Sequence, residues 1–310
     1  MTSKDRLLLN GQRILRVLRE FSFESSGDVS INYIINNDGD ETIYTMWSVR
    51  KIMDNLKGVV NSTAWVHIYV DADDGDDNND GSESSPLKSI KQAIEGNCNG
   101  SVLYIHCKRG QTHKLNTSDE YHVIPTDAQS ITLTDYGDSD DDRPLITSDA
   151  FIYDGDEDHT SLLSRIENWR GGSIWLEDVD VKYPAIIDGK PYNDGSFQSQ
   201  MFLANPATSI GAYHCKVDLS EADNASFFSV SRYRGLPTIS LYYVDFVMGT
   251  DTRAIGNRTN SPISIELGGN TWKDADGNSV DQQEYAIRNI VRDADSGNPV
   301  NINSNVNFSD

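Results

Sequence analysis

The chain has 310 residues, enough to bury a large core, and its 48 acidic against 26 basic side chains leave a net charge of -22. A surface of that sign repels a phosphate backbone and an anionic lipid surface, which excludes nucleic acid as a partner. The opening MTSKDRLLLNGQRILRVL has no long apolar core or small-residue cleavage site, and no run of about eighteen apolar residues occurs anywhere, so neither an export leader nor membrane insertion is expected.

From the N-terminus, Leu7, Leu8, Ile14, Leu15 and Leu18 share one helical stripe, weakened at Gly11. The segment DVSINYII, Asp28 to Ile35, alternates like a strand. Met46, Val49, Ile52, Met53 and Leu56 then recur at helical spacing behind a possible cap at Thr45. Helix, strand and helix within residues 1–58 predict a small α/β unit, too small to hold a core by itself, so it is expected to dock on copies of itself or on another protein.

From about residue 59 the pattern changes to short alternating strands punctuated by Gly, Asn and Asp, as in WVHIYVD, SVLYIHC and SITLTDYG. One frame recurs: a Ser or Thr, then Ile, any residue, and Leu or Ala. It begins at Ser130, Ser173, Ser209, Thr238 and Ser264, at spacings of 43, 36, 29 and 26 residues. In SIWLEDVDV, SIGAYHCKV and TISLYYVDF the inward positions change parity after the fourth residue, which requires an extra residue at a bend. Two short strands joined at a corner, repeated along the chain, predict an all-β fold: a right-handed, single-stranded parallel β-helix over 59–310, with about eight to ten coils. The alternative is a β-sandwich, which would place antiparallel neighbours at tight reversals; hairpin dipeptides are scarce between these strands. Cys98, Cys107 and Cys215 lack metal-ligand spacing and cannot all pair within one chain, so they read as buried thiols.

The segment VDADDGDDNNDGSESSPLKSIKQAIE, from Val70, resembles the opening segment of the pectate-lyase-like β-helix superfamily of polysaccharide lyases and phage tailspikes. Ser85 is suited to cap the helix there, Pro86 to open it, and Leu87, Ile90, Ala93 and Ile94 to plug the solenoid end, giving a capping helix at about 86–96. ITLTDYGDSDDDRPLIT, from Ile131, is similar to the same superfamily's strand, acidic turn, Arg-Pro and strand sequence, and Thr42 to Gly58 resembles the head regions of tail fibres. The resemblance implies a bacteriophage tail-fibre or tailspike-like virion protein, made in the host cytoplasm. Such a protein is expected to be a homotrimer that docks through residues 1–58 on a tail or baseplate protein and adsorbs to host-surface glycan. The superfamily's lyase and polygalacturonase signatures are absent from this chain.

Candidate sites follow from the residues themselves. Asp76, Asn78 and Asp80 satisfy the first half of a calcium loop whose twelfth position would be Leu87, so a structural Ca2+ competes with simple turn folding, and no other cofactor is expected. If the repeats stack, Asp180, Lys216 and Asp245 form an outward column, and Asp178, Asp180 and Asp245 are the candidate catalytic acids of a polysaccharide hydrolase or lyase. Trp169, Trp175, Glu177, His214, Tyr242 and Tyr243 beside them form a candidate glycan-binding set. The six histidines are scattered without metal-ligand spacing, and GxSxG is absent. Three functions compete: a glycan-binding adhesin, a polysaccharide depolymerase, and a purely structural tail adaptor or baseplate component.

Overall fold

A computed structural model describes residues 31–37, 40–46, 65–97, 102–116, 123–126, 128–153, 160–168, 172–185, 201–204, 209–223, 225–230, 237–257, 262–288, 290–296, 298–306 and 308. The chain divides into two compact units, residues 1–64 and Trp65–Asp310. In the first, Ile31–Asn37 and Asp40–Met46 pair antiparallel from Asn37↔Asp40 to Ile31↔Met46. The helix expected to open behind Thr45 is therefore corrected at its start: Thr45 pairs with Asn32 inside a strand. Val49 to Leu56 and the Leu7–Leu18 stripe lie outside the described residues.

The second unit is a parallel β-helix. Its first sheet orders eight strands, from Trp65–Val70 through Val102–Lys108, Ser130–Tyr136, Ser173–Glu177, Ser209–Tyr213, Thr238–Tyr242 and Ile263–Gly268 to Ile302–Ser304. The second sheet orders Thr112–Lys114, Leu145–Thr147, Asp180–Lys182, Lys216–Asp218, Asp245–Met248 and Thr271–Asp274, the third Val123–Thr126, Arg165–Asn168, Phe202–Ala204, Ser226–Val230, Arg253–Asn257 and Ile287–Arg288, and all pairs within the three sheets are parallel. Among the described residues the chain thus completes six coils with a partial coil at each end, eight stacked rungs in the first sheet. Inserted segments lengthen several coils, and one contains an antiparallel hairpin, Ala150–Tyr153 with Thr160–Leu163.

The recurring frame is in register. Ile131, Ile174, Ile210, Ile239 and Ile265 stack in one column, and Leu133, Leu176, Ala212, Leu241 and Leu267 in the next. All are buried, each Ile or Leu side chain stabilising the fold by roughly 1.5–3 kcal/mol. One coil cannot hide these side chains, whereas stacked coils make a continuous dry interior. Cys107 and Cys215 are free thiols within it, and burial raises both pKa values, Cys215 to about 12.

The capping helix is Ile90–Asn97, four residues later than the sequence suggested. Ser89, not Ser85, accepts from the Gln92 amide, and the Asp77 carboxylate accepts from the amides of Lys88 and Ser89. Leu87 instead bridges to Val70 in strand fashion, its amide donating to the Tyr69 carbonyl. Ile90, Ala93 and Ile94 join the core, as expected of a plug.

A buried carboxylate ties this end together. Asp71 accepts from the amides of Asp73 and Asp74, from Gln111 Nε2 at 2.8 Å and from Lys108 Nζ at 2.5 Å. Burial by itself would raise its pKa, but these donors outweigh it and hold the group at about 2, below its ordinary 3.8. The stabilisation is therefore complete above pH 4 and is lost as the pH falls through about 2. Asp71→Asn is expected to reduce urea-unfolding stability by about 2 kcal/mol at pH 7 and by little at pH 2, the difference between the two profiles being the readout.

Candidate functional site

In four successive coils the corner between the first and second sheets turns on one left-handed residue. Asp178, His214 and Tyr243 have φ of 54°, 54° and 55°, and Gly269 holds the same place in the next coil with φ of 67°. This is the extra residue that the change of parity demands. Its left-handed backbone turns the chain, and each corner amide donates to the following coil: Asp178 to the Tyr213 carbonyl, His214 to that of Tyr242, Tyr243 to that of Gly268. For a residue with a Cβ this conformation is unfavourable by roughly 1–2 kcal/mol, which glycine avoids.

The corner side chains point to water. His214 Nδ1 is hydrogen-bonded to Asp178 Oδ1, with the imidazole 58% and the carboxylate 37% exposed. The Arg143 guanidinium, reaching across from the acidic turn, donates to the His214 carbonyl and lies 3.4 Å from Asp180 Oδ1. Asp180, Lys216 and Asp245 do form one column, continued by Thr271. Asp180 accepts from the Lys216 amide, and Asp245 from Thr271 Oγ1 at 2.6 Å. Burial, and then the charge of adjacent Asp178, raises the Glu177 carboxyl above its ordinary value.

Three aromatic rings lie over glycines of the next coil. A Cβ on Gly211 would sit 2.0 Å from Cζ3 of Trp175, one on Gly268 2.6 Å from Cδ1 of Tyr242, and one on Gly269 2.6 Å from Cδ1 of Tyr243. Each glycine leaves room for the preceding ring to settle against backbone, as aromatic side chains do when they cover glycines in sheets. Tyr213 meets Tyr243 edge-on at 5.8 Å, and both are exposed. The Tyr242 hydroxyl donates to Glu266 Oε2 at 3.1 Å.

The structure thus gathers Trp175, Glu177, Asp178, Asp180, His214, Tyr242, Tyr243 and Asp245 along one corner; Trp169 lies outside the described residues. Asp76, Asn78 and Asp80 are engaged in turn bonds: Asp76 Oδ1 accepts from the Asn78 amide and Nδ2, Asp80 Oδ1 from the Ser82 amide. Among the described residues no group of three or more His, Cys, Asp or Glu is placed to hold a metal ion.

Sequence reasoning missed Tyr213, Arg143 and Glu266 as members of the site, and it treated His67 and His106 as unrelated. Outward alternation in WVHIYV and VLYIHC was the available signal, since Trp65, His67, Tyr69, Tyr104 and His106 all fall on the non-core parity.

No family model matches the chain, and no curated protein matches it. Among solved structures it is similar to a rhamnogalacturonan lyase, with 12% identity and a TM-score of 0.41 over 76% of this chain and 65% of that one. The chain therefore spans just under two thirds of that protein's length. The parallel β-helix itself rests on the sheet topology.

Proposed function

We propose that the corner and the adjoining outer surface of the first sheet bind polysaccharide. The observation that carries this reading is the set of rings, Trp175, Tyr242 and Tyr243, each laid over a glycine of the following coil. A ring seated against backbone keeps its other side for the apolar face of a sugar, and Glu177, Asp178 and Glu266 supply acceptors for hydroxyl groups alongside. The third sheet is a poor rival, because its outward residues Glu167, Leu203 and Ser229 are buried. The net charge of -22 favours a neutral or cationic glycan over a polyanionic one.

In this reading the chain is a phage tail-fibre or tailspike-like adhesin of the virion, trimeric and docked on the tail or baseplate through residues 1–58. The likeness of its Val70, Ile131 and Thr42 segments to such proteins supports that assignment. A glycan array spanning neutral, amino and uronate polysaccharides, followed by calorimetry, tests the binding. Binding to a neutral or amino glycan is expected, with an affinity at least tenfold lower for Trp175→Ala combined with Tyr243→Ala. No binding, or binding indifferent to both substitutions, rejects the proposal.

A depolymerase is the second reading, favoured by Glu177 and Asp178. Burial, and then the charge of Asp178, raises the Glu177 carboxyl, as a general acid requires, and Asp178 stands beside it hydrogen-bonded to His214. New reducing ends or unsaturated products from the selected glycan, lost in Glu177→Gln, would establish it.

A further inference from the structure

A second series of rings stands on the same outer surface, toward the first strand. Trp65 stacks on Tyr104 at 5.6 Å, Tyr104 on His67 at 5.0 Å, His67 on His106 at 5.2 Å, and His106 on Tyr69 at 4.6 Å; Tyr136 closes the series edge-on to Tyr69. His67 Nδ1 and His106 Nε2 share a hydrogen bond of 2.8 Å. These are not core residues. Trp65 keeps 69% of its surface in water, His67 is exposed, and the others are half-buried.

The series is aligned with the corner site by register. His67, Tyr104, Thr132, Trp175 and Gly211 form one unbroken column across five neighbouring strands. With strands about 4.8 Å apart, the first strand and the Trp175 strand are separated by roughly 14 Å, and the Tyr242 strand lies roughly 10 Å farther along. A disaccharide can occupy one end of such a row, and only a longer chain can touch both.

We infer that the Trp65–Tyr104–His67–His106–Tyr69 series is a second saccharide subsite, occupied by the same glycan chain that rests on Trp175, so that the polymer runs along the stacking axis. The exposed indole offers a face to a sugar ring, while the imidazole and phenol edges offer donors and acceptors to its hydroxyls. Arg109 pairs with Asp135 at 2.5 Å, and the Trp65, Tyr104 and Tyr69 rings carry no charge, which suits this surface to an uncharged, hydroxyl-rich segment. The inference rests on the polysaccharide reading above.

The test uses oligosaccharides of two to eight sugars cut from the glycan that the array selects, titrated into the full chain and into Trp65→Ala, with Trp65→Phe as the ring-retaining variant. Wild-type affinity is expected to rise with length beyond three sugars. Trp65→Ala should bind the two- and three-sugar probes as wild type does and the eight-sugar probe at least tenfold more weakly, with Trp65→Phe restoring most of the loss. Equal affinity of wild type and Trp65→Ala for the eight-sugar probe overturns the subsite and leaves the corner site standing. An equal loss at every length overturns the single continuous chain. If the array selects no glycan, the polysaccharide reading falls, and this inference with it.

Discussion

Gly211→Val should abolish most glycan binding while leaving the β-helix folded. Valine is among the best residues for an outward strand position, so on propensity alone the change would be neutral or favourable. The obstacle is space. The new Cβ would lie 2.0 Å from Cζ3 and 2.2 Å from Cε3 of Trp175, so the indole must leave the backbone it rests on. Trp175 is an outward residue whose coil is held from inside by Ile174 and Leu176, so its displacement opens no cavity in the core. Affinity for the selected glycan is expected to fall at least tenfold, equivalent to about 1.4 kcal/mol, with an unchanged circular dichroism spectrum and a more exposed tryptophan emission. Full affinity in a folded Gly211→Val protein would show that the Trp175 platform does not contact ligand. Gly268→Val, which meets Tyr242 at 2.6 Å, should act in the same direction.

The parts of this architecture that depend on periodicity were legible in the sequence. The Ile and Leu of successive frames are inward because a strand alternates, and Ser173 aligns with Ser130, and Ser264 with Thr238, because stacking buries those columns only in that register. The change of parity after Leu176, Ala212 and Leu241 also located the corner. Other features need the register first. Gly211 looks like an ordinary weak strand residue until Trp175 is known to be its neighbour one coil earlier, and the ring series from Trp65 to Tyr136 needs three strands side by side.

Local rules failed where pairing overrode them. Ser85 and Pro86 satisfy the preferences of a helix start, yet the amide and carbonyl of Leu87 are taken by Tyr69 and Asp71, which delays the helix to Ile90. Met46 fits a helical stripe but pairs with Ile31. A helical spacing of apolar residues does not by itself exclude a strand, because hydrogen bonds to a partner strand outweigh propensities of a few tenths of a kcal/mol per residue.

The left-handed corner yields the second large prediction, in which stability and binding move apart. Gly269 shows that this backbone accepts glycine, the residue for which it is least strained, yet the three preceding coils place Asp178, His214 and Tyr243 there. Strain of that kind persists where the side chain serves something other than folding. In His214→Gly the relief of roughly 1–2 kcal/mol is partly cancelled by about 0.5–1 kcal/mol of added backbone entropy in the unfolded chain. The imidazole is 58% exposed, so little burial is forfeited, and its bond to the half-exposed Asp178 contributes little. The melting temperature of His214→Gly should therefore stay level or rise by a few degrees, and that of Tyr243→Gly should stay level, the contacts of its ring with Gly269 and Tyr213 offsetting the relieved strain. On the proposed polysaccharide reading, glycan affinity should fall at least tenfold in both, because each substitution removes an exposed side chain of the corner and leaves the turn intact. A lower melting temperature with unaltered affinity would mean that these side chains stabilise the corner, and the ligand would have to be sought elsewhere on the solenoid.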